Sequence, residues 1–171
     1  VKLIAKNKAL LKKWFFIRYA DPKAHIRLRL QLKKPAEGYR ILHQMKEAFT
    51  LAVQQGFIAD FKLQTYQKET QRYGANRMEL VEQFFHTDSI FTLKLLKNIQ
   101  DENQLMIKTV RNIQALCEIV NSELLAQVLF AEKMSAIFAN EHQLNPADFK
   151  KINSNFNALK VQLFQESRLQ N

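Results

Sequence analysis

Two arginines and a histidine stand out because their spacing could do chemistry. His25, Arg27, Arg29 and Gln31 alternate with Ile26, Leu28, Leu30 and Leu32. An extended chain sends alternate residues to opposite faces. The apolar set would then face a core, and the other face would hold an imidazole and two guanidiniums side by side. Adjacent guanidiniums repel each other, and a carboxylate or phosphate relieves that repulsion through paired charge-assisted bonds. The plain alternative is an amphipathic strand with a solvated basic face.

The elements that must position these groups can be read from the same sequence. Residues 2–13 have helical character, with Leu3, Ile4, Leu10 and Leu11 set among lysines. Residues 14–32 read as two strands joined at Asp21-Pro22, since proline fixes its own φ and bars the residue before it from the helical region. Residues 37–55 carry Ile41, Leu42, Met45, Phe49, Ala52 and Val53 at helical spacing, and Gly56 suits the C-terminal cap. Residues 57–66 alternate as a further strand would, and 68–75 read as irregular, with Gly74 as a breaker. Beyond lie only helices. One spans about 76–86, and the next, 89–99, would be capped by Thr87-Asp88-Ser89. Another starts at Asp101-Glu102, one runs from Ser122 to about His142, and the last starts at Asn145-Pro146. The expected fold is α+β: a small antiparallel sheet, made of the hairpin plus a further strand, followed by a mostly helical C-terminal half. A single domain is expected over 1–171, with 1–68 holding the sheet and 76–171 the helices.

Two motifs resemble a known family. WFFIRYADP, followed by His25-Ile26-Arg27-Leu28-Arg29-Leu30, is similar to the signature of the C-terminal, glutamate-eliminating domain of lantibiotic dehydratases, which has stand-alone relatives in thiopeptide-type bacteriocin biosynthesis. Thr65-Tyr66-Gln67-Lys68-Glu69-Thr70-Gln71-Arg72-Tyr73-Gly74, then Glu82, Phe84-Phe85 and Asp88-Ser89, is similar to the family's TYxxExxRYGG and the acidic helix after it. The likeness covers roughly residues 11–90. It implies that more strand and helix precede the first motif, so the chain is expected to be shorter than the family at its N-terminus.

The resemblance implies a lyase-type β-elimination, in which glutamate leaves a glutamylated Ser or Thr of a precursor peptide to give a dehydroamino acid. Such a reaction needs cations for the departing carboxylate, donors for the enolate-like charge and one group able to move a proton. Arg27 and Arg29 match the family's paired arginines, and Arg72 matches the arginine before its Tyr-Gly. Glu69 and Tyr73 would orient Arg72, and Arg18 on the facing strand would either join the set or pair with an acid. The family also carries histidines in a late helix. The positions that match them here are Asn153 and Asn155, which cannot transfer protons near neutral pH. Either His25 takes that role or the elimination is lost. The implied partners are the precursor peptide and a separate glutamyl-tRNA-dependent glutamylating subunit, with no cofactor. The alternatives are a catalytically degenerate subunit that binds the precursor peptide or scaffolds a complex, and a relative of the pyridine-forming cyclases.

Composition bounds these readings. The chain has 171 residues, 47% of them hydrophobic, with 13 Phe, enough for a sizeable core. Its single cysteine, Cys117, excludes a disulfide within the chain and fits a cytoplasmic protein. No stretch has the apolar length to span a bilayer. His43, His86 and His142 lack metal-ligand spacing, so no metal is expected, and three glycines leave no phosphate-cradling loop. Residues 1–100 hold 19 Lys and Arg against 8 Asp and Glu, a net of +11, whereas 101–171 hold 7 against 8, a net of −1. The basic field thus lies with the motifs. Direct nucleic-acid binding is not expected, because Trp14, Phe15, Phe16 and Tyr19 fall on both strand faces and form no stacking platform.

Overall fold

The computed structural model describes residues 2–19, 23–120 and 123–168. They fall into two compact units, Val1–Leu95 and Leu96–Asn171. The fold is α+β: a two-stranded antiparallel sheet followed by a mostly helical half. No helix among the described residues is long and apolar enough to cross a membrane.

The first unit opens with a one-turn helix, α1 (Lys2–Lys6), and then the hairpin of β1 (Leu11–Tyr19) and β2 (His25–Leu32). The helix expected over 2–13 is therefore short, and Leu11 and Lys13 belong to the strand. The Asp21-Pro22 turn lies outside the described residues. The register pairs Phe15 with Arg29, Ile17 with Arg27 and Tyr19 with His25, with an irregularity between Leu11 and Lys13. Directly opposed residues share a face, so the arginine face of β2 continues the Lys13–Phe15–Ile17–Tyr19 face of β1. That is the better buried face: Phe15 is 4% exposed and Lys13 also 4%. The sequence had placed the core behind Ile26, yet Ile26 is 65% exposed. Leu28, Leu30 and Leu32 are half-buried, so both faces are partly covered, the Phe15 side more completely.

α2 (Gly38–Gln54) buries Ile41. Its end is a Schellman-type cap: Phe57 N–H donates to the Ala52 carbonyl at 2.9 Å and Gly56 N–H to the Val53 carbonyl at 3.0 Å, with Gly56 at φ +74°. Residues 57–69 then run without any ladder, so the further strand expected there does not form. The free edge of β1 is already taken. α3 (Thr70–Tyr73), a single turn where irregular chain was expected, leads through Gly74 to α4 (Met78–Asn98).

α4 is continuous through 87–89, where a break was expected. Ser89 does not cap a helix; it is 1% exposed, and its Oγ accepts the Phe16 N–H at 3.1 Å. His86 Nδ1 donates to the Trp14 carbonyl at 2.6 Å. The outward polar groups of β1 thus find side chains of α4, as buried backbone groups must find some partner.

In the second unit, α5 (Glu102–Val120) is capped by Asp101, whose Oδ1 accepts the Gln104 N–H at 2.7 Å. It packs against α7 (Pro146–Arg168) around Ile107 and Leu159, which are 0% and 5% exposed, and Arg111 donates to the Leu163 carbonyl. Asn145 and Asp148 form the reciprocal cap of α7: Asn145 Oδ1 accepts the Ala147 N–H at 2.8 Å, and Asp148 Oδ2 accepts the Asn145 N–H at 2.9 Å. Between them runs α6 (Leu124–Glu141), with no buried residue.

Candidate functional site

The arginine face of the hairpin holds two differently arranged cations. At the end of the hairpin where Tyr19 pairs with His25, Arg27 Nε donates to His25 Nε2 at 3.0 Å, and His25 Nδ1 lies 2.8 Å from the Lys23 carbonyl. Tyr19 stacks on His25 with ring centroids 5.2 Å apart, and the Arg27 guanidinium sits 4.0 Å from the Tyr19 centroid. The three side chains are ordered by one another, and Arg27 has no acid partner among the described residues.

Deeper in, Arg29 lies over two aromatic rings, 4.7 Å from the centroid of Tyr66 and 5.6 Å from that of Phe15. Its Nη1 is buried and has no hydrogen-bond partner. A buried cationic donor without a partner is costly, and an anion in the site would relieve that cost.

Arg72, on α3, is 72% exposed and lies 3.7 Å from Glu69 Oε2, a loose surface pair. Its guanidinium is 5.4 Å from the Tyr73 ring. Tyr73 meets Phe85 at 6.0 Å, Phe85 meets Phe15 at 5.4 Å, and Phe15 meets Tyr66 at 6.0 Å. A row of aromatic rings therefore links the mount of Arg72 to the mount of Arg29. Arg18 pairs with Ile26, so it points to the opposite face from Arg27 and Arg29. Asn153 and Asn155 are exposed on α7 in the second unit, where Asn153 helps line an open groove with Phe149, Lys150 and Asn157. No group of acids, histidines or cysteines able to hold a metal occurs among the described residues.

One cluster was not foreseen as part of the site. Lys13 Nζ lies 3.0 Å from both Glu79 Oε1 and Glu82 Oε2, and Lys68 Nζ lies 3.3 Å from Glu82 Oε1. Burial pulls the Lys13 ammonium down, but its bonds to Glu79 and Glu82 and their charges outweigh this, and its pKa is raised. The Lys13 bond holds the Glu79 carboxyl below its usual range. Tyr66 hydroxyl is pushed up, first by burial and then by the charge of Glu82, against the pull of Arg29. The signal for Lys13 was available: it continues the Leu11–Phe15–Ile17 alternation, but the lysines around it favoured reading a helix.

A family model described as "Lantibiotic biosynthesis dehydratase C-term" matches residues 2–171. The chain belongs to that family. Over 90 residues, 52% of the chain, this lantibiotic dehydratase C-terminal domain is 34% identical to the nisin biosynthesis protein NisB of Lactococcus lactis subsp. lactis, of which it covers 9%. Over 76 residues, 44% of the chain, it is 37% identical to the subtilin biosynthesis protein SpaB of Bacillus subtilis, of which it covers 7%. The chain therefore spans less than a tenth of either relative. No solved structure gives a significant match.

Proposed function

We propose that this lantibiotic dehydratase C-terminal domain removes glutamate from glutamylated Ser or Thr side chains of a precursor peptide, which a separate glutamyl-tRNA-dependent subunit supplies. The observation that carries this reading is the buried Arg29 Nη1 without a hydrogen-bond partner, on the same strand face as an Arg27 without an acid partner, both among the described residues. Two uncompensated guanidiniums one strand repeat apart suit a carboxylate leaving group.

In this reading a base takes the α-proton of the modified residue. The C–H electrons form the Cα=Cβ double bond, the Cβ–O bond breaks, and glutamate departs as a carboxylate. Arg29 and Arg27 would hold that carboxylate, and Arg72 would meet the charge developing on the neighbouring amide oxygen. His25, on the same strand face as Arg27 and Arg29, would move the proton. Its Nε2 lone pair is engaged by Arg27, so the base is released when Arg27 turns to the substrate. A second reading, a subunit that binds precursor peptide without turnover, draws support from Asn153 and Asn155, which stand where the family has histidines.

The test is mass spectrometry of a glutamylated precursor peptide incubated with the protein. Elimination lowers the peptide mass by one glutamic acid, and Arg29→Ala abolishes the loss. A peptide that binds but keeps its glutamate would leave only the second reading.

A further inference from the structure

Arg29 has no acid partner among the described residues, although the buried carboxylate of Glu82 is bonded to a lysine of the same sheet face. Glu82 is 4% exposed and is bonded to Lys13, which stands on the same sheet face as Arg29. A buried guanidinium and a buried carboxylate ordinarily pair. Here Lys13 bonds Glu82 Oε2 at 3.0 Å, and the Lys68 ammonium lies 3.3 Å from Oε1 as an ion pair, although Oε1 has no hydrogen-bond partner among the described residues. Lys13 comes from the same sheet face as Arg29, and Lys68 from the unladdered segment that also carries Tyr66. The Arg29 guanidinium lies over the Tyr66 ring, 4.7 Å from its centroid.

We propose that Lys13, Lys68 and Tyr66 are positioning residues that hold Glu82 away from Arg29 and so keep the guanidinium available to an anionic ligand. The inference deepens the proposed elimination and takes its ligand, the glutamyl carboxylate, from that reading. It also explains why two basic residues are placed around a buried acid beside an already basic face. Without them, Glu82 would neutralise the cation that the site needs.

Calorimetric titration of free L-glutamate into the full chain tests this. Wild-type protein binds, and Arg29→Ala does not. Lys68→Met removes a side chain that is 48% exposed, so folding is kept. It is expected to weaken glutamate binding roughly tenfold or more, as Glu82 turns to Arg29. Lys68→Met with Glu82→Gln is expected to restore affinity to within about twofold of wild type, since the competing charge is gone. A merely structural role for Lys68 predicts no such rescue. Lys13→Met should show the same pattern, and if it does not fold, the Lys68 series decides. Unchanged affinity in Lys68→Met, failure of the rescue, or glutamate binding that survives Arg29→Ala would each overturn the inference. Turnover of a glutamylated peptide is measured separately. A wild-type chain that binds glutamate with the expected rescue but eliminates nothing supports this inference and removes the proposed function instead.

Discussion

The buried pair of Lys13 and Glu82 allows a quantitative prediction. Their side chains are 4% and 5% exposed and 3.0 Å apart. At that separation the gross attraction is about 5–6 kcal/mol for an effective dielectric constant near 20, most of it offset by desolvation of both ions. Removing one partner exposes the uncompensated cost of the other, typically about 3–5 kcal/mol. Lys13→Met leaves Glu82 with Lys68 alone, so we expect the lower end, about 3 kcal/mol, a large fraction of a typical total of about 5–15 kcal/mol. The released Glu79 adds little, being 65% exposed. In the double variant Lys13→Met, Glu82→Met, both charges are gone and apolar volume fills the space, so most of the loss should return. Urea unfolding followed by circular dichroism, with unchanged m-values, yields the coupling from the four proteins. The reasoning fails if Lys13→Met costs less than about 1 kcal/mol, or if the two single losses simply add in the double variant.

Further perturbations follow from the same geometry. Ser89→Ala leaves the Phe16 N–H facing α4 without a partner and should cost about 1–3 kcal/mol in the same unfolding assay. Gly74→Ala places a Cβ 3.3 Å from Asn76 Oδ1 at φ +82°, and is expected to destabilise by about 1–3 kcal/mol. The lowered Glu79 pKa contributes stability that is present at neutral pH and lost as pH falls below the unfolded carboxylate value, about 4.3, through the lower folded one. The raised Lys13 pKa contributes stability that is present below about 10.4 and lost as pH rises through the folded value. Lys13→Met should therefore flatten both limbs of a stability–pH curve, which unfolding midpoints across pH would show.

Much of this was legible in the sequence, and the failures have identifiable causes. The 25–32 strand, the 37–55 helix with its Gly56 cap, and the starts at Asp101 and Asn145 were readable because period and capping residues agree there. The break at Thr87-Asp88-Ser89 was misread because a capping triplet in sequence is also a set of short polar side chains, and α4 uses Ser89 and His86 to satisfy the edge of β1. Residues 57–66 alternate but meet no strand to pair with, a tertiary fact that alternation cannot carry. Arg27, Arg29 and Arg72 were legible as residue types at a spacing. Which face of the hairpin is buried, and that Arg29 would be desolvated beneath Tyr66, depended on Phe15 and α4, which lie far away in the sequence.

Crystallography of the protein soaked with L-glutamate tests the central claim most directly. We predict a carboxylate of the ligand within hydrogen-bond distance of Arg29 Nη1, with Arg27 turned from His25 towards it and Glu82 still held by Lys13 and Lys68. Glutamate bound elsewhere, or Arg29 closed onto Glu82 with the ligand excluded, would contradict the account.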